Sequence, residues 1–280
     1  MKNILCTFSG SRYHSTTEKI VRDGPRYGAG KVWVFDDVWL KTQKEHCAAT
    51  KWAFDHPKNR GVNWFCFKPY CITKALERCE TGDIVCYTDA DCWPIADMTP
   101  LFEMCERTGI VLFAACGHKQ RQWSKRDTQI LLGQDSDFFR DKQAGVARFM
   151  LFKKGAKFYG HYYADHGAYQ SVITCQLTAE SFLNEWLKHT CDQRANTFDE
   201  SKLAQEYPKP DFIEARCEQA ILTGLAHKYA IPLHREADQW GNTFKADFPQ
   251  DTYGQIFEST GEYSYSPDGH RLGSKFRNVD

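Results

Sequence analysis

The sequence predicts an α/β protein built on an open, doubly wound sheet flanked by helices. Short apolar runs bounded by polar residues or glycine have the composition of strands buried on both faces. These runs are residues 3–8, 32–35, 84–88 and 110–115. Helical patterns lie between them, and strands that alternate with helices are typical of an open, doubly wound sheet. No linker, repeat or low-complexity tract divides the 280 residues, so we expect one domain.

The helices of the first half are expected at residues 15–28, Pro69–Cys79 and Pro100–Arg107. The last of these has proline in its first turn and Gly109 just beyond its end, which are common boundary residues. The second half is less regular. There we expect a strand at Val146–Phe152 and helices at Ala179–Lys188 and Ile213–Tyr229. Residues 249–280 are polar, aromatic and rich in turns, which fits a mobile lid or a packed tail.

Charge and composition exclude a strong global attraction to nucleic acid or membrane. Lys+Arg and Asp+Glu are 36 each, so the formal net charge is zero. One basic stretch, residues 118–126, is expected to meet phosphate, with a solvated loop as the alternative. No apolar stretch has the length of a signal peptide or of a membrane span, so we expect a cytoplasmic protein. Its twelve cysteines are then expected to be reduced and mostly buried.

Two aspartates follow a buried strand in the segment GDIVCYTDADCWP. In open α/β sheets, ligands bind outside the carboxyl ends of the strands. Asp89 and Asp91 are two residues apart in an extended segment, so both carboxylates point to one side and can share a hard cation. Mn²⁺ or Mg²⁺ held in this way keeps open positions for diphosphate oxygens and offsets charge on a departing nucleoside diphosphate.

The Asp-x-Asp pattern alone has a second explanation, a turn that closes a strand. A second copy of the pattern, Asp135 and Asp137, follows no apolar strand, and there we expect a solvated turn. The strand before Asp89 is therefore the feature that favours a functional interpretation of the first pair.

The run from Lys68 to Trp93, KPYCITKALERCETGDIVCYTDADCW, resembles the helix, strand and Asp-x-Asp segment of GT-A glycosyltransferases. It is most similar to bacterial and viral members with the Lys-Pro-Tyr and Asp-x-Asp pattern. Three later segments match the same pattern in order: WSKRD at 123–127, QAGVARFMLFKK at 143–154, and RCEQAILTGLAHKY at 216–229 followed by IPLH. The resemblance covers about residues 1–235 and implies a GT-A fold, with a Rossmann-like, mixed and mostly parallel sheet.

The resemblance also implies roles for single residues. Residues 1–115 would form the nucleotide-binding half and residues 116–248 the acceptor and catalytic half. The nucleotide and donor sugar would be held by a set of residues spread over both halves: Thr7, Phe8, Ser9, Arg12, Tyr13, Asp36, Asp37, Arg126, Gln143, Ala144 and Gly145. Within this set, Arg126 would contact phosphate, and the small-residue turn at 143–145 would let sugar or acceptor approach the backbone. For Arg126 and for Asp127, which would bind sugar hydroxyls, a surface ion pair is the alternative.

Similar retaining enzymes carry an acidic residue followed by glutamine near the anomeric carbon, where this chain has Glu218 and Gln219. Glu218 would then be a nucleophile or an electrostatic stabiliser. Those enzymes usually have aspartate there, so an exposed helix glutamate is the alternative. The metal would be bound by Asp89, Asp91 and a late histidine, for which His234 is favoured over His270.

The sequence and the resemblance together predict a metal-dependent glycosyltransferase that moves a sugar from a UDP- or GDP-sugar to a hydroxyl acceptor. Retention is implied by the resemblance alone, with inversion as the alternative. Phosphoryl or nucleotidyl transfer also uses paired aspartates and metal, but the residues around Asp89 and Asp91 fit those families poorly. A sugar- or nucleic-acid-binding module is the non-enzymatic alternative, because 14% of the residues are aromatic. Glycosylation of modified DNA bases, with a nucleobase as acceptor, is a further alternative that the neutral net charge does not support.

Overall fold

A computed structural model describes residues 1–10, 13–56, 62–165, 170–198, 201–209, 211–260, 264–265 and 271–272. The strands in these parts are β1 (Asn3–Ser9), β2 (Lys31–Asp36), β3 (Ile84–Asp89), β4 (Cys92–Pro94), β5 (Ile110–Lys119), β6 (Gln143–Lys153), β7 (Lys157–Asp165), β8 (Gln170–Thr178), β9 (Leu233–His234), β10 (Phe257–Ser259), β11 (Ser264–Tyr265) and β12 (Arg271–Leu272).

The α-helices of the described parts are α1 (His14–Asp23), α2 (Asp37–Thr42), α3 (Lys44–Ala49), α4 (Lys51–Asp55), α5 (Phe67–Glu77), α6 (Thr99–Thr108), α7 (Gln120–Trp123), α8 (Arg126–Leu131), α9 (Asp137–Arg140), α10 (Ala179–Thr190) and α11 (Cys217–Lys228). Short 3-10 helices lie at Pro25–Tyr27, Val62–Phe65 and Gln239–Asp247.

The main sheet has six strands in the order β2-β1-β3-β6-β5-β9. Strand β1 pairs in parallel with β2 and β3, and β5 pairs in parallel with β9, whereas β6 runs antiparallel to both β3 and β5. Five strands therefore share one direction and one is reversed, which confirms the predicted mixed, mostly parallel sheet. The reversed strand is the expected strand at Val146–Phe152, extended at both ends.

Helices cover both faces of this sheet. One apolar cluster joins strand residues such as Cys6, Tyr87 and Met150 to α5, α10 and α11. The other joins residues such as Leu5, Cys86 and Phe113 to α1 and α6. These contacts explain why the strands are apolar on both faces. All twelve cysteines are free, and eight of them are buried.

The structure corrects several element boundaries. The expected helix at 15–28 ends at Asp23, and Pro25 begins a separate 3-10 turn. The helix expected from Ile213 begins at Cys217, because the amides of Ile213 and Arg216 bond to the main chain of the 120–123 helix instead. Helices α2, α3 and α4 and the hairpin of β7 and β8 were not predicted.

The described part of the C-terminal segment is packed on the body of the protein. Strand β10 pairs antiparallel with β4, directly after the Asp-x-Asp segment. The amide of Thr260 also donates to the main-chain oxygen of Asp91 at 3.0 Å. Residues 257–260 are thus packed against the segment that follows Asp91. Most of the residues from 261 to 280 lie outside the described parts. Among the helices described, none has both the length and the apolar character needed to cross a membrane.

Candidate active site

A cavity of about 390 Å³ opens at the carboxyl ends of β3 and β5, beside the first residues of α11. Its charged lining residues are Lys68, Asp89, Arg148, Arg216, Glu218 and Glu236. Its aromatic lining residues are Phe65, Trp123, Phe198, Trp240 and Phe244. A lining that combines charged groups with aromatic rings is typical of a site for a polar organic ligand.

Lys68 links two acidic residues that the sequence analysis assigned to different roles. Its ammonium lies 2.9 Å from Asp89 Oδ1, 3.0 Å from Asp89 Oδ2 and 2.9 Å from Glu218 Oε1, and it also donates to the carbonyl of Ala147 at 3.0 Å. Burial by itself lowers the pKa of Lys68, but the two carboxylates outweigh it and the net pKa is raised. The ammonium therefore stays protonated between these carboxylates.

The local backbone that brings Lys68 and Glu218 together is strained. Trp64 and Phe65, just before α5, have φ of 48° and 61°, and Cys217, just before Glu218, has φ of 45°. Residues other than glycine rarely adopt this region, and such strain is concentrated at functional sites. Both strained segments pack on each other in one small apolar cluster.

Glu218 occupies the first turn of α11 and is 5% exposed. Burial raises the pKa of its carboxyl, and the neighbouring Lys68 partly offsets that rise. Gln219 also lines the cavity. The exposed-glutamate alternative is therefore wrong, and the structure brings Glu218 and Gln219 to the same cavity as Asp89.

Asp91 is half-buried beyond the end of β3. Burial and the nearby Asp89 raise the pKa of its carboxyl, while Arg148 opposes the rise. Arg148 itself forms an ion pair with Asp238, which is fully buried. The region around Asp91 therefore carries an excess of carboxylates over cations.

The donor set at the strand end fits a hard divalent cation in its chemistry, because carboxylate oxygens are the ligands that Mn²⁺ and Mg²⁺ prefer. Asp89 and Asp91 would supply these oxygens. In the described parts, no group of three or more His, Cys, Asp or Glu side chains is arranged to hold a metal. Two protein ligands would thus leave the other positions to a bound diphosphate or water.

His234 is not brought to this pair. It lies on β9, three strands away from β3 in the sheet, which corresponds to about 14 Å at the usual strand spacing. Its Nδ1 is 2.8 Å from Asp251 Oδ1, and its buried Nε2 has no partner among the described residues. The prediction of His234 as third metal ligand is therefore not supported by its position, and His270 lies outside the described residues.

The predicted nucleotide residues lie at the carboxyl edge of β1 and β2, next to Asp89. Phe8 pairs with Asp89 and Ser9 with Asp36 across the sheet. Thr7 and Phe8 are buried, so their side chains belong to the core. Ser9 accepts a hydrogen bond from the hydroxyl of Thr17 at 2.8 Å.

Three other predicted nucleotide residues, Asp36, Asp37 and Tyr13, are more exposed as whole residues than Thr7 and Phe8. Asp36 caps α2 by accepting the amide of Trp39 at 2.7 Å, and the buried Oδ1 of Asp37 has no partner in the described part of the chain. Tyr13 directly precedes α1 and is 36% exposed. Arg12 lies outside the described residues.

Arg126 and Asp127 are directed away from the cavity. Arg126 Nε bonds to Asp135 at 3.1 and 3.2 Å, so Asp135 is an ion-pair partner and not part of a solvated turn. Asp127 is 1% exposed and accepts the amides of Lys202 and Leu203, each at 2.8 Å. The structure therefore assigns both residues to the attachment of the 201–207 segment, in place of phosphate and sugar binding.

The Gln143–Gly145 segment begins strand β6 and does not form a ligand-facing turn. The side-chain amide of Gln143 donates to the carbonyl of His118 at 2.8 Å. The amide of Gly145 donates to Thr223 Oγ1 at 2.9 Å, and a Cβ on Gly145 would lie 3.1 Å from the same oxygen. Ala144 is buried. The small residues accommodate helix α11, which corrects their predicted role in sugar approach.

Sequence reasoning did not assign roles to Lys68, Arg148 and Glu236. Glu236 Oε2 accepts the amide of Cys116 at 3.2 Å, and burial together with Asp238 raises its pKa to about 7. Lys68 had one signal, its place in the Lys-Pro-Tyr segment. Its two carboxylate partners are distant in the chain, and a linear pattern does not identify such contacts.

No family model and no curated protein matches the sequence. Among solved structures, the galactosyltransferase LgtC in complex with donor and acceptor sugar analogues is 13% identical, with a TM-score of 0.48 over 96% of this chain and 92% of that chain. The apo form of the glycosyltransferase GlyE of Streptococcus pneumoniae TIGR4 is 12% identical, with a TM-score of 0.43 over 99% of this chain and 58% of that chain.

The apo form of mouse xyloside xylosyltransferase 1 is 10% identical, with a TM-score of 0.45 over 92% of this chain and 97% of that chain. All three proteins are glycosyltransferases by name. With such identities and TM-scores below 0.5, none of these similarities bears on the reaction of this chain.

Proposed function

We propose that this protein is a metal-dependent glycosyltransferase that moves a sugar from a UDP- or GDP-sugar to an acceptor hydroxyl, with retention. The observation that carries the proposal is the convergence of Asp89, Lys68 and Glu218 on one cavity. That cavity lies at the carboxyl ends of strands, where ligands of open α/β sheets bind. The resemblance of four ordered segments to GT-A enzymes supports the reaction class.

Asp89 and Asp91 would hold Mn²⁺ or Mg²⁺, which when bound would offset the charge on the departing nucleoside diphosphate. The edge of β1 and β2 beside Asp89 would receive the nucleotide, with Asp37 as a candidate for hydroxyl or base N–H groups because its Oδ1 is buried without a partner in the described chain. Asp36 is committed to capping α2 and is a weaker candidate.

Glu218 would act on the reacting sugar. Its carboxylate is presented at the cavity by the first turn of α11 and is kept beside the Lys68 ammonium. Lys68 opposes the effect of burial on the pKa of Glu218 and so favours its ionised form. A preorganised carboxylate near the anomeric carbon stabilises positive charge that develops there in the transition state. The retaining outcome rests on the family resemblance.

The aromatic residues of the wall would bind sugar rings. Phe198, Trp240 and Phe244 offer apolar faces at the cavity, and Trp240 Nε1 is a buried donor without a partner in the described chain. Aromatic faces with a polar edge suit sugars, which have apolar C–H faces and hydroxyl rims. By contrast, Arg121 and Arg126 of the basic stretch are engaged in ion pairs with aspartates of this chain, so no observation favours a DNA acceptor.

Thermal unfolding with nucleotides tests the proposal. The protein is heated with UDP, GDP, CDP or dTDP, each with and without Mn²⁺. At a hundredfold excess over Kd, a bound nucleotide stabilises by about 2.7 kcal/mol, which is a shift of several degrees. We expect one nucleotide to shift the unfolding temperature only with Mn²⁺, and that nucleotide then defines the sugar donors to assay for turnover.

Two variants make this test specific. Asp91→Asn is expected to abolish the metal-dependent shift. Asp137→Asn is the matched control, because Asp137 belongs to the second Asp-x-Asp pattern and its side chain is 81% exposed, and it should leave the shift unchanged. If no nucleotide shifts the wild type with Mn²⁺, the transferase proposal is wrong and the sugar-binding module is the function to test next. Such a module would bind glycans irrespective of Asp91.

A further inference from the structure

The Asp89 carboxylate is already occupied by a cation of the protein itself. Both of its oxygens lie within 3.0 Å of the Lys68 ammonium, and Oδ1 also accepts the hydroxyl of Tyr87 at 3.0 Å. The Lys68 side chain is only 6% exposed, so water does not screen this contact. A divalent cation that takes an oxygen of Asp89 would therefore meet a fixed positive charge beside it.

The local structure does not by itself favour a lysine at this place. Lys68 is the second residue of α5, where the positive end of the helix dipole disfavours a cation. Burying an ammonium is also unfavourable unless acidic partners compensate it. Lys68 is thus held by long-range contacts with Asp89 and Glu218 and not by its helix.

We propose that Lys68 is an internal competitor of the divalent cation at Asp89. This inference rests on the proposed function, because it concerns the same two aspartates. In the free protein, the ammonium neutralises Asp89 and weakens binding of the metal alone. Because Glu218 is its second carboxylate partner, Lys68 retains an ion pair when Asp89 turns to the metal.

The consequence is that metal and nucleotide bind together. A nucleoside diphosphate brings negative charge, which offsets the electrostatic repulsion between the divalent cation and the Lys68 ammonium. Each ligand therefore raises the affinity of the other, as reciprocal coupling requires.

The test measures binding of Mn²⁺ alone, without nucleotide, from the electron paramagnetic resonance signal of free Mn²⁺. Removing one unit of buried positive charge in Lys68→Met is expected to lower the Kd for Mn²⁺ by about tenfold or more. The matched control is Lys74→Met. Lys74 lies on the same helix but pairs with Glu77 at 2.8 Å, and its loss should change the Kd less than about twofold.

A second variant guards against loss of folding, since removing one partner of a buried ion pair is strongly destabilising. Lys68→Met/Glu218→Gln leaves one fewer uncompensated carboxylate and is expected to show the same tighter binding. Adding Asp91→Asn to either variant should return the Kd toward the wild-type value.

An unchanged or weaker affinity in both Lys68 variants would overturn the inference and leave the proposed function standing. Equal tightening in Lys74→Met, or tightening that survives Asp91→Asn, would overturn it as well, because the effect would then be unrelated to this site. If neither wild type nor variants bind Mn²⁺, even with UDP, GDP, CDP or dTDP present, the proposed metal site itself fails and the inference fails with it.

Discussion

The indole nitrogen of Trp186 on α10 donates a 2.9 Å hydrogen bond to the main-chain carbonyl of Glu218 at the start of α11. Trp186 is fully buried in the apolar cluster that both helices share. The position of the proposed catalytic carboxylate is thus tied to the core through its own backbone.

Replacement of Trp186 by phenylalanine should remove this bond and leave a void. We expect a loss of about 2–4 kcal/mol in the free energy of unfolding, measured by urea denaturation, and lower turnover once a donor is known. Trp52→Phe is the control, because it removes a 2.8 Å bond to the carbonyl of Cys191. Equal turnover in the two variants would show that the Trp186 bond does not position Glu218.

Gly145→Ala tests whether the small residue accommodates a helix. The added Cβ would lie 3.1 Å from Thr223 Oγ1, so we expect a loss of about 1–2 kcal/mol from overpacking. Thr223→Ala removes that oxygen and with it the acceptor of the residue 145 amide, so the comparison is made within this background: Gly145→Ala should cost less free energy of unfolding in Thr223→Ala than in the wild type. Gly254→Ala is the control, since a Cβ there meets no atom within 4 Å. An equal cost in both backgrounds would contradict the packing explanation.

Asp127→Ala distinguishes a structural from a ligand-binding aspartate. The amides of Lys202 and Leu203 would lose their acceptor, and the expected cost is about 1–3 kcal/mol of stability. The metal-dependent shift produced by nucleotide should persist, because Asp127 does not line the cavity. A variant of normal stability that has lost sugar-donor turnover would instead restore the role implied by the family resemblance.

Glu236 should make stability depend on pH. Burial and Asp238 raise its pKa from 4.5 to about 7, so between these values the folded state binds more protons than the unfolded state. Its contribution is therefore present below pH 4.5 and decreases as pH rises through 7, by as much as about 3 kcal/mol. Unfolding free energies of wild type and Glu236→Gln at pH 5 and pH 8 should differ more at pH 8, with the variant more stable there. A constant difference would contradict the raised pKa.

The sequence predicted the sheet and the acidic strand end because both depend on local pattern. Apolar runs identify buried strands, and Asp89 directly follows one of them. Strand direction is not local, so the reversal of β6 was not predicted. A continuous apolar run reads the same in a parallel and an antiparallel pair.

The predicted residues that line the cavity are those at the ends of strands or helices. Glu218 and Gln219 at the start of α11 line the cavity. Asp127 and Arg126 look equally suited to a ligand in the sequence, but their partners at 135 and 202–207 are brought near by folding. The role of Lys68 was missed for the same reason, because its partners Asp89 and Glu218 are remote in the chain.

The pairing of β10 with β4 has a consequence for biosynthesis. The strand that follows Asp91 finds its partner in residues 257–259, which the ribosome adds long after Cys92. During synthesis, strand β4 therefore lacks its partner β10 while the strands of the main sheet have already been made. A translation product that stops before Phe257 would leave strand β4 without this partner, as an exposed strand edge of the kind that promotes aggregation.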